Sequence, residues 1–254
     1  MSNVTGGELT VVVGASQGIG AVVARTLARE NPVVLADIDS AGAQVLADEL
    51  VAEGLTASAQ WVDVTDTDSV AALVAATPGA SRLAIVAGAF SATPSLEVTP
   101  DEFVRILGIN LIGAYDVARR YSAAMIENGG GSIVAIGSIA ARMPRMRQAA
   151  YCASKAGMRQ ALRVLGMEVR GRGVRINFVA PGPTETPMMA ELAADHTGIQ
   201  LWEGELETFR PRIPDGRVAQ PQDVANAIEF LLSDRALHIS LHDLYVDGGE
   251  SLGL

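Results

Sequence analysis

Val13-Gly14-Ala15-Ser16-Gln17-Gly18-Ile19-Gly20 follows the apolar run Leu9–Val13 and opens a stretch where Ile19, Val22, Val23 and Leu27 recur at helical spacing. The glycines therefore occupy a turn from a strand into a helix. Glycine lets backbone approach a pyrophosphate closely, and a helix N-terminus offers unpaired N–H groups and the positive end of a dipole. An isolated glycine-rich turn is a weak signal; its position between strand and helix makes Gly14, Ser16, Gln17, Gly18, Ile19 and Gly20 a candidate dinucleotide loop.

Working outward, further short runs rich in Val and Ile are predicted as strands at Val33–Ala36, Ala57–Val62, Leu83–Val86, Ser132–Ile136, Val174–Val179 and Asp243–Val246. Between them, helical patterns cover Ser40–Glu53, Asp66–Ala76, Pro100–Glu127, Ala150–Arg170 and Gln222–Ser233, with Asn31-Pro32 ending the first helix and Gly129-Gly130-Gly131 the fourth. Strands alternating with helices imply a single α/β domain over 1–254, a Rossmann-type doubly wound parallel seven-stranded sheet flanked by helices. Its cofactor half runs to about 130 and its catalytic and substrate half from about 131. Residues 182–220 lack a clear strand and carry Met188, Met189, Leu192, Trp202 and Phe209, which suits a functional lid.

The second strand leads into Asp37, about 20 residues beyond the glycines, where a carboxylate can accept from a ribose diol and repel a 2′-phosphate. No Arg or Lys stands near Ser16, Gln17 or Asp37 in sequence to offset that repulsion. The expected cofactor is NAD.

Composition narrows the function classes. The 254 residues carry a formal charge of −10, and 49% are apolar. The averaged field repels a phosphate backbone, so no nucleic-acid partner is expected, and Arg142, Arg145 and Arg147 form a cluster fit only for one small anion. A single cysteine, Cys152, precludes an intramolecular disulfide, and the start MSNVTGGELTVVVG carries neither a basic n-region nor a membrane-length apolar run. The expectations are a cytoplasmic protein with no membrane partner. His196, His238 and His242 show no metal-ligand spacing, so no metal is expected.

Of 19 basic residues, one is lysine, Lys155, four residues after Tyr151 near the start of a predicted helix. That spacing puts both on one face. A cation about 4 Å from a phenol, at an effective dielectric near 20, would stabilise the phenolate by up to roughly 4 kcal/mol and lower its pKa by as much as about three, into the range useful to a general base. Ser138, 13 residues earlier at the end of the fifth predicted strand, would lie in the crevice at the carboxyl ends of parallel strands.

With GASQGIG at 14–20, Asp63, Asn110, Ser138, YCASK at 151–155 and PGPTET at 181–186, the chain resembles the short-chain dehydrogenase/reductase family along essentially its whole length. The resemblance implies that Asp63 and Val64 contact adenine, Asn110 supports a proton-relay water, and Ser138 orients the substrate hydroxyl. Tyr151 would be the general base, while Lys155 would bind the nicotinamide ribose and lower the tyrosine pKa. Thr186 would lie by the carboxamide, with Ala87, Gly88, Pro181 and Thr184 completing the cofactor contacts. Two positions depart from the family pattern: Val13 replaces the usual Thr, and Val86-Ala87-Gly88-Ala89 lacks the usual Asn. Losing both polar partners together can be nearly neutral, because neither is left unsatisfied.

Within the family, Pro144-Arg145, GPTETPMM, IPDGRVAQPQDVANAIEFL and HISLHDLYVDGGESLGL are similar to the branch of 2,3-dihydro-2,3-dihydroxybenzoate dehydrogenases. That resemblance implies NAD-dependent oxidation of the C3 alcohol of a cyclic carboxylic acid to an aromatic product. Arg145 would clamp the carboxylate with two parallel hydrogen bonds, Arg142 and Arg147 are the next candidates, and Met188 would touch the substrate. A trans-2,3-dihydro-3-hydroxyanthranilate substrate stays open, as do a general reductase of 3-oxoacyl thioesters and a nucleotide-binding module without turnover. Homotetramers are usual in the family. The apolar segment from Leu241 to Leu254 suits either a symmetric interface or a buried last strand.

Overall fold

The computed structural model describes residues 8–194 and 202–252, with the side chains of 191–194 left aside. Seven strands form one sheet: β1 (Leu9–Val13), β2 (Val33–Asp37), β3 (Ala57–Trp61), β4 (Ala80–Ile85), β5 (Gly131–Ile136), β6 (Val174–Pro181) and β7 (Asp243–Val246). Their order is β3-β2-β1-β4-β5-β6-β7, and every pairing is parallel. This is the doubly wound architecture expected from the alternation of apolar runs and amphipathic stretches.

The Val- and Ile-rich strands are buried on both sides, as parallel strands between helices must be. On one face, α3 (Thr67–Ala76), α5 (Ala114–Glu127) and α6 (Ala149–Arg170) pack Val70, Val117, Tyr121 and Leu162 against Val11, Leu83 and Ile133. On the other, α1 (Gly18–Leu27), α2 (Ser40–Ala52) and α8 (Pro221–Leu232) pack Val23, Leu46 and Ile228 against Val12, Leu35 and Val134. Strand order reverses between β1 and β4, so a crevice opens there, outside the carboxyl ends of the strands.

Two expectations need correction. Pro100–Glu127 is not one helix: α4 (Pro100–Leu107) passes through a π-helical turn, Gly108–Gly113, before α5 begins. The backbone of Val64 lies so close to Gly113 that a methyl there would sit 2.6 Å from the Val64 carbonyl oxygen, and periodicity over so short a distortion carries no signal of it. β4 begins at Ala80 rather than Leu83, because Ala80 to Arg82 pair with Leu9 and Thr10 across a register shift that apolar patterning does not register. Other boundaries move by a residue or two, as strand and helix ends do.

The 182–220 excursion contains α7 (Pro187–Ala194), a bridge from Thr184 to Ala219, and a tight loop closed by Glu205 and Arg210. His196 lies outside the described residues. Leu241–Leu252 includes β7, the edge strand, which is half-buried. No helix among the described residues is long and apolar enough to cross a membrane.

Candidate active site

A cavity of about 1180 Å³ opens at the switch point between β1 and β4. At one end the glycine loop supplies its wall. A methyl on Gly14 would overlap the backbone nitrogen of Ala87, and one on Gly20 would overlap the carbonyl oxygen of Gly14. Gly14 and Gly18 also adopt φ of +87° and +56°, so both demands converge on glycine. α1 starts at Gly18 with no side-chain cap, which leaves its first N–H groups turned to this end.

The departures at Val13 and Ala87 find their explanation here. Val13 O accepts from Val86 N and Ala87 N, both at 2.8 Å, so backbone ties the β1 and β4 ends with no side chain involved.

Asp37, at the tip of β2, lines the cavity and is nearly buried. Its carboxylate accepts from Ser16 N at 2.9 Å and Asp39 N at 2.9 Å, which fixes it under the glycine loop. Asp63 lies one strand further on, where its Oδ1 accepts from Thr65 N and Thr65 Oγ1 at 2.8 and 2.7 Å. Asp63, Val64, Ala87, Gly88, Pro181, Thr184 and Thr186 all line the same cavity. Thr186 Oγ1 accepts from Met189 N at 3.2 Å, so this threonine also starts α7.

The turn between Ser138 and α6 delivers the second group of residues. Arg147 takes a left-handed φ of 65° just before Tyr151, at a cost of about 1 kcal/mol for a residue with a Cβ. Ser138, Tyr151 and Lys155 then face one space. Burial raises the Tyr151 phenol above its ordinary value, against the lowering effect of a hydrogen bond with Ser138. Lys155 is 3% exposed; its Nζ donates to Ile136 O at 2.9 Å, and burial draws its pKa down to about 8.

Lys155 Nζ stands 5.8 Å from the Tyr151 ring centroid and donates one hydrogen bond to the Ile136 carbonyl, and burial disfavours the charged form of both groups. Phe90, which sequence reasoning missed, packs edge-on against the Tyr151 ring at 5.0 Å.

Asn110 is fully buried in the π turn and does not line the cavity. Its Oδ1 accepts from Ala89 N at 2.7 Å, and its Nδ2 donates to Ala89 O at 2.8 Å and to Ser154 Oγ at 3.0 Å. Ser154 in turn donates to Tyr151 O at 2.8 Å. The chain Ala89–Asn110–Ser154–Tyr151 ties the loop after β4 to the first turn of α6.

Of the three clustered arginines, only Arg145 lines the cavity. Arg142 is exposed and donates to Tyr245 Oη at 3.4 Å, and Arg147 is exposed, so the structure does not bring these two to the site. Met188 does line it. So does Arg210, which no local sequence signal marked, because it lies 65 positions beyond Arg145 in an irregular segment.

Comparison with known proteins adds a consistent frame. A family profile described as enoyl-(acyl carrier protein) reductase matches residues 14–251. The 2,3-dihydro-2,3-dihydroxybenzoate dehydrogenase of Bacillus subtilis (strain 168) is 37% identical over 254 residues, covering 98% of this chain and 97% of its own. The protein of that name from Escherichia coli (strain K12) is 34% identical over 252 residues, with 97% and 98% covered. A solved structure from Beutenbergia cavernae, provisionally described as an NAD(P)-dependent gluconate 5-dehydrogenase and holding NADP at low occupancy, superimposes with a TM-score of 0.85 at 33% identity, covering 96% of this chain and 97% of that one.

Proposed function

This chain belongs to the short-chain dehydrogenase/reductase family of oxidoreductases, which work with a nicotinamide nucleotide, and from that premise we propose that it oxidises 2,3-dihydro-2,3-dihydroxybenzoate to 2,3-dihydroxybenzoate with NAD. The observation that carries the reading is one cavity holding a glycine cradle, the Ser138–Tyr151–Lys155 group and an arginine. The names of the Bacillus subtilis and Escherichia coli relatives support the substrate class.

The cradle fits a dinucleotide: Gly14 and Gly20 leave no room for a side chain, and the uncapped start of α1 suits a pyrophosphate. Asp63 and Val64 would hold adenine, Asp37 the ribose diol, Lys155 the second ribose, and Ala87, Gly88, Pro181, Thr184 and Thr186 the nicotinamide end. Asp37 favours NAD, since a 2′-phosphate would meet a carboxylate already fixed by two N–H groups. When bound, the nicotinamide would supply the hydride acceptor, and its positive charge would favour the phenolate.

Ser138 holds the C3 hydroxyl, and Tyr151 Oη accepts its proton. Phe90 and the Ser154 bond fix the Tyr151 ring and backbone, so the proton has a short and defined path. Asn110 acts as a positioning residue through Ser154 and Ala89. Loss of the proton and hydride leaves a ring ketone that tautomerises to the phenol, and aromatisation drives the reaction forward. Arg145 would face the substrate carboxylate, with Met188 against the ring. The assembly is read as a cytoplasmic homotetramer, which sedimentation would test.

The deciding experiment follows NADH formation with NAD and, separately, the dihydro-dihydroxy acid and trans-2,3-dihydro-3-hydroxyanthranilate, with products identified. The diol acid is expected to have the higher kcat/KM. Preference for the amino acid would reassign the substrate, and no turnover of either, with NAD still bound, would sink the reading.

A further inference from the structure

Two arginines from distant parts of the chain meet one buried carboxylate at the wall of the cavity. Arg145 comes from the loop between β5 and α6, Arg210 from the segment before α8, and Glu250 from the turn after β7. Arg145 Nη2 stands 2.7 Å from Glu250 Oε1, and Arg210 Nε stands 3.8 Å from that same oxygen. The Glu250 side chain is fully buried, whereas the arginine side chains keep 12% and 16% of their surface exposed, and both arginines line the cavity. Among the described residues, Glu250 Oε2 has no hydrogen-bond partner, and burial raises the carboxyl pKa against the pull of both guanidiniums.

Stability does not account for this arrangement, because desolvating three charged groups costs about as much as their attraction returns. Geometry does: both guanidiniums converge on one carboxylate oxygen at the cavity wall, with the carboxylates of Asp247 and Glu205 close by. The C-terminal turn is also held firmly in place. Asp247 accepts from Gly249 N at 3.0 Å and Ser251 N at 2.9 Å, and a methyl on Gly182 would come within 3.0 Å of Asp247 Cβ and 3.3 Å of Glu250 Oε2.

We propose that Arg145 and Arg210 together receive the substrate carboxylate, and that Glu250 is a positioning residue holding both guanidiniums toward it. The proposal rests on the dihydroaromatic-acid reading and adds to it a second anion ligand and the residue that orients the pair. Planar forks held at a fixed spacing recognise a carboxylate better than free side chains, because less conformational freedom is lost on binding.

The test compares 2,3-dihydro-2,3-dihydroxybenzoate with its neutral carboxamide as substrates of the full chain with saturating NAD, in the parent protein and in Arg210→Gln, Arg145→Gln and Glu250→Gln. NAD binding by fluorescence titration checks that each variant is folded. Arg210→Gln is expected to lower kcat/KM for the acid about 20-fold, chiefly through KM, as loss of a charge-assisted bond should, and to change the amide less than threefold. Arg145→Gln should do the same. Glu250→Gln separates positioning from attraction: it makes the site more cationic, so attraction alone would raise the acid-to-amide preference, while lost positioning lowers it, by about tenfold on the same scale. Glu250→Asp, which keeps the charge on a shorter arm, should fall between. A preference that rises or stays level in Glu250→Gln overturns the role of Glu250. Equal loss on acid and amide in Arg210→Gln, or no loss, overturns the pair. If the parent protein takes the amide as readily as the acid, the acid reading itself fails and the pair falls with it.

Discussion

At one end of the cavity the wall includes the turn from Gly14 to Gly20; at the other it includes the side chains of Arg145, Met188 and Arg210, with Glu250 paired to the two arginines. The first end is made by one local turn in which Gly14 and Gly20 have no space for a Cβ. The second is assembled from segments up to 105 residues apart, joined by ion pairs and a C-terminal turn. A dinucleotide is common to the whole family, so its end can be built once from backbone. A substrate differs between members, so its end is built from side chains that can be exchanged while the sheet stays the same.

The sharpest way to break this division is at the residue standing between the two ends. Tyr151→Phe removes the proton acceptor and is expected to lower kcat by about 10³-fold, within the range for general bases, while dinucleotide affinity stays within twofold by fluorescence titration. A large loss of affinity would mean that the phenol serves the nucleotide end instead.

Next in size is Gly20→Ala. The added methyl overlaps the Gly14 carbonyl, so the loop must shift. Overpacking of this kind costs about 1–3 kcal/mol, and NAD binding should weaken by about 30-fold with a fall in Tm. Unchanged affinity would show that the cradle is looser than its contacts imply.

Asp37→Ser should shift the NADP-to-NAD ratio of kcat/KM by about tenfold toward NADP, since two N–H groups lose an ionised acceptor and a 2′-phosphate loses its repulsion. A ratio that does not move would place cofactor choice outside β2.

The smallest effect concerns stability. Lys155 titrates near 8 in the folded chain against 10.5 ordinarily, so between those values the unfolded chain holds a proton that the folded one lacks. Stability therefore rises with pH across that window, and below it the buried charge is carried at full penalty. Lys155→Met should raise the urea midpoint by roughly 0.5 M at pH 7, with the gain shrinking toward pH 10. A gain independent of pH would assign the effect to packing.

What lies in one short stretch of chain was legible in the sequence: the glycines mark a turn, Asp37 marks a strand end, and Tyr151 and Lys155 share a helix face. Arg145 could be singled out from its neighbours only by resemblance. Periodicity could not show that Arg142 turns to Tyr245 and Arg147 to solvent, since a one-residue change in a loop reverses a side chain. The π turn at Gly108–Gly113 was hidden for a related reason: one added residue in a helix leaves the apolar pattern on either side intact.

The sequence by itself determined the alternation of strands and helices, the glycine cradle, the acidic tip of β2 and the Tyr-Lys pair, because each rests on spacing within a turn or two of chain. Tertiary structure alone decided that Asn110 reaches Tyr151 through Ser154, that Lys155 gives its ammonium to Ile136, and that Arg145, Arg210 and Glu250 meet. Those contacts join residues that only the folded sheet brings together, and the burial that sets their charges exists only once the sheet has closed over them.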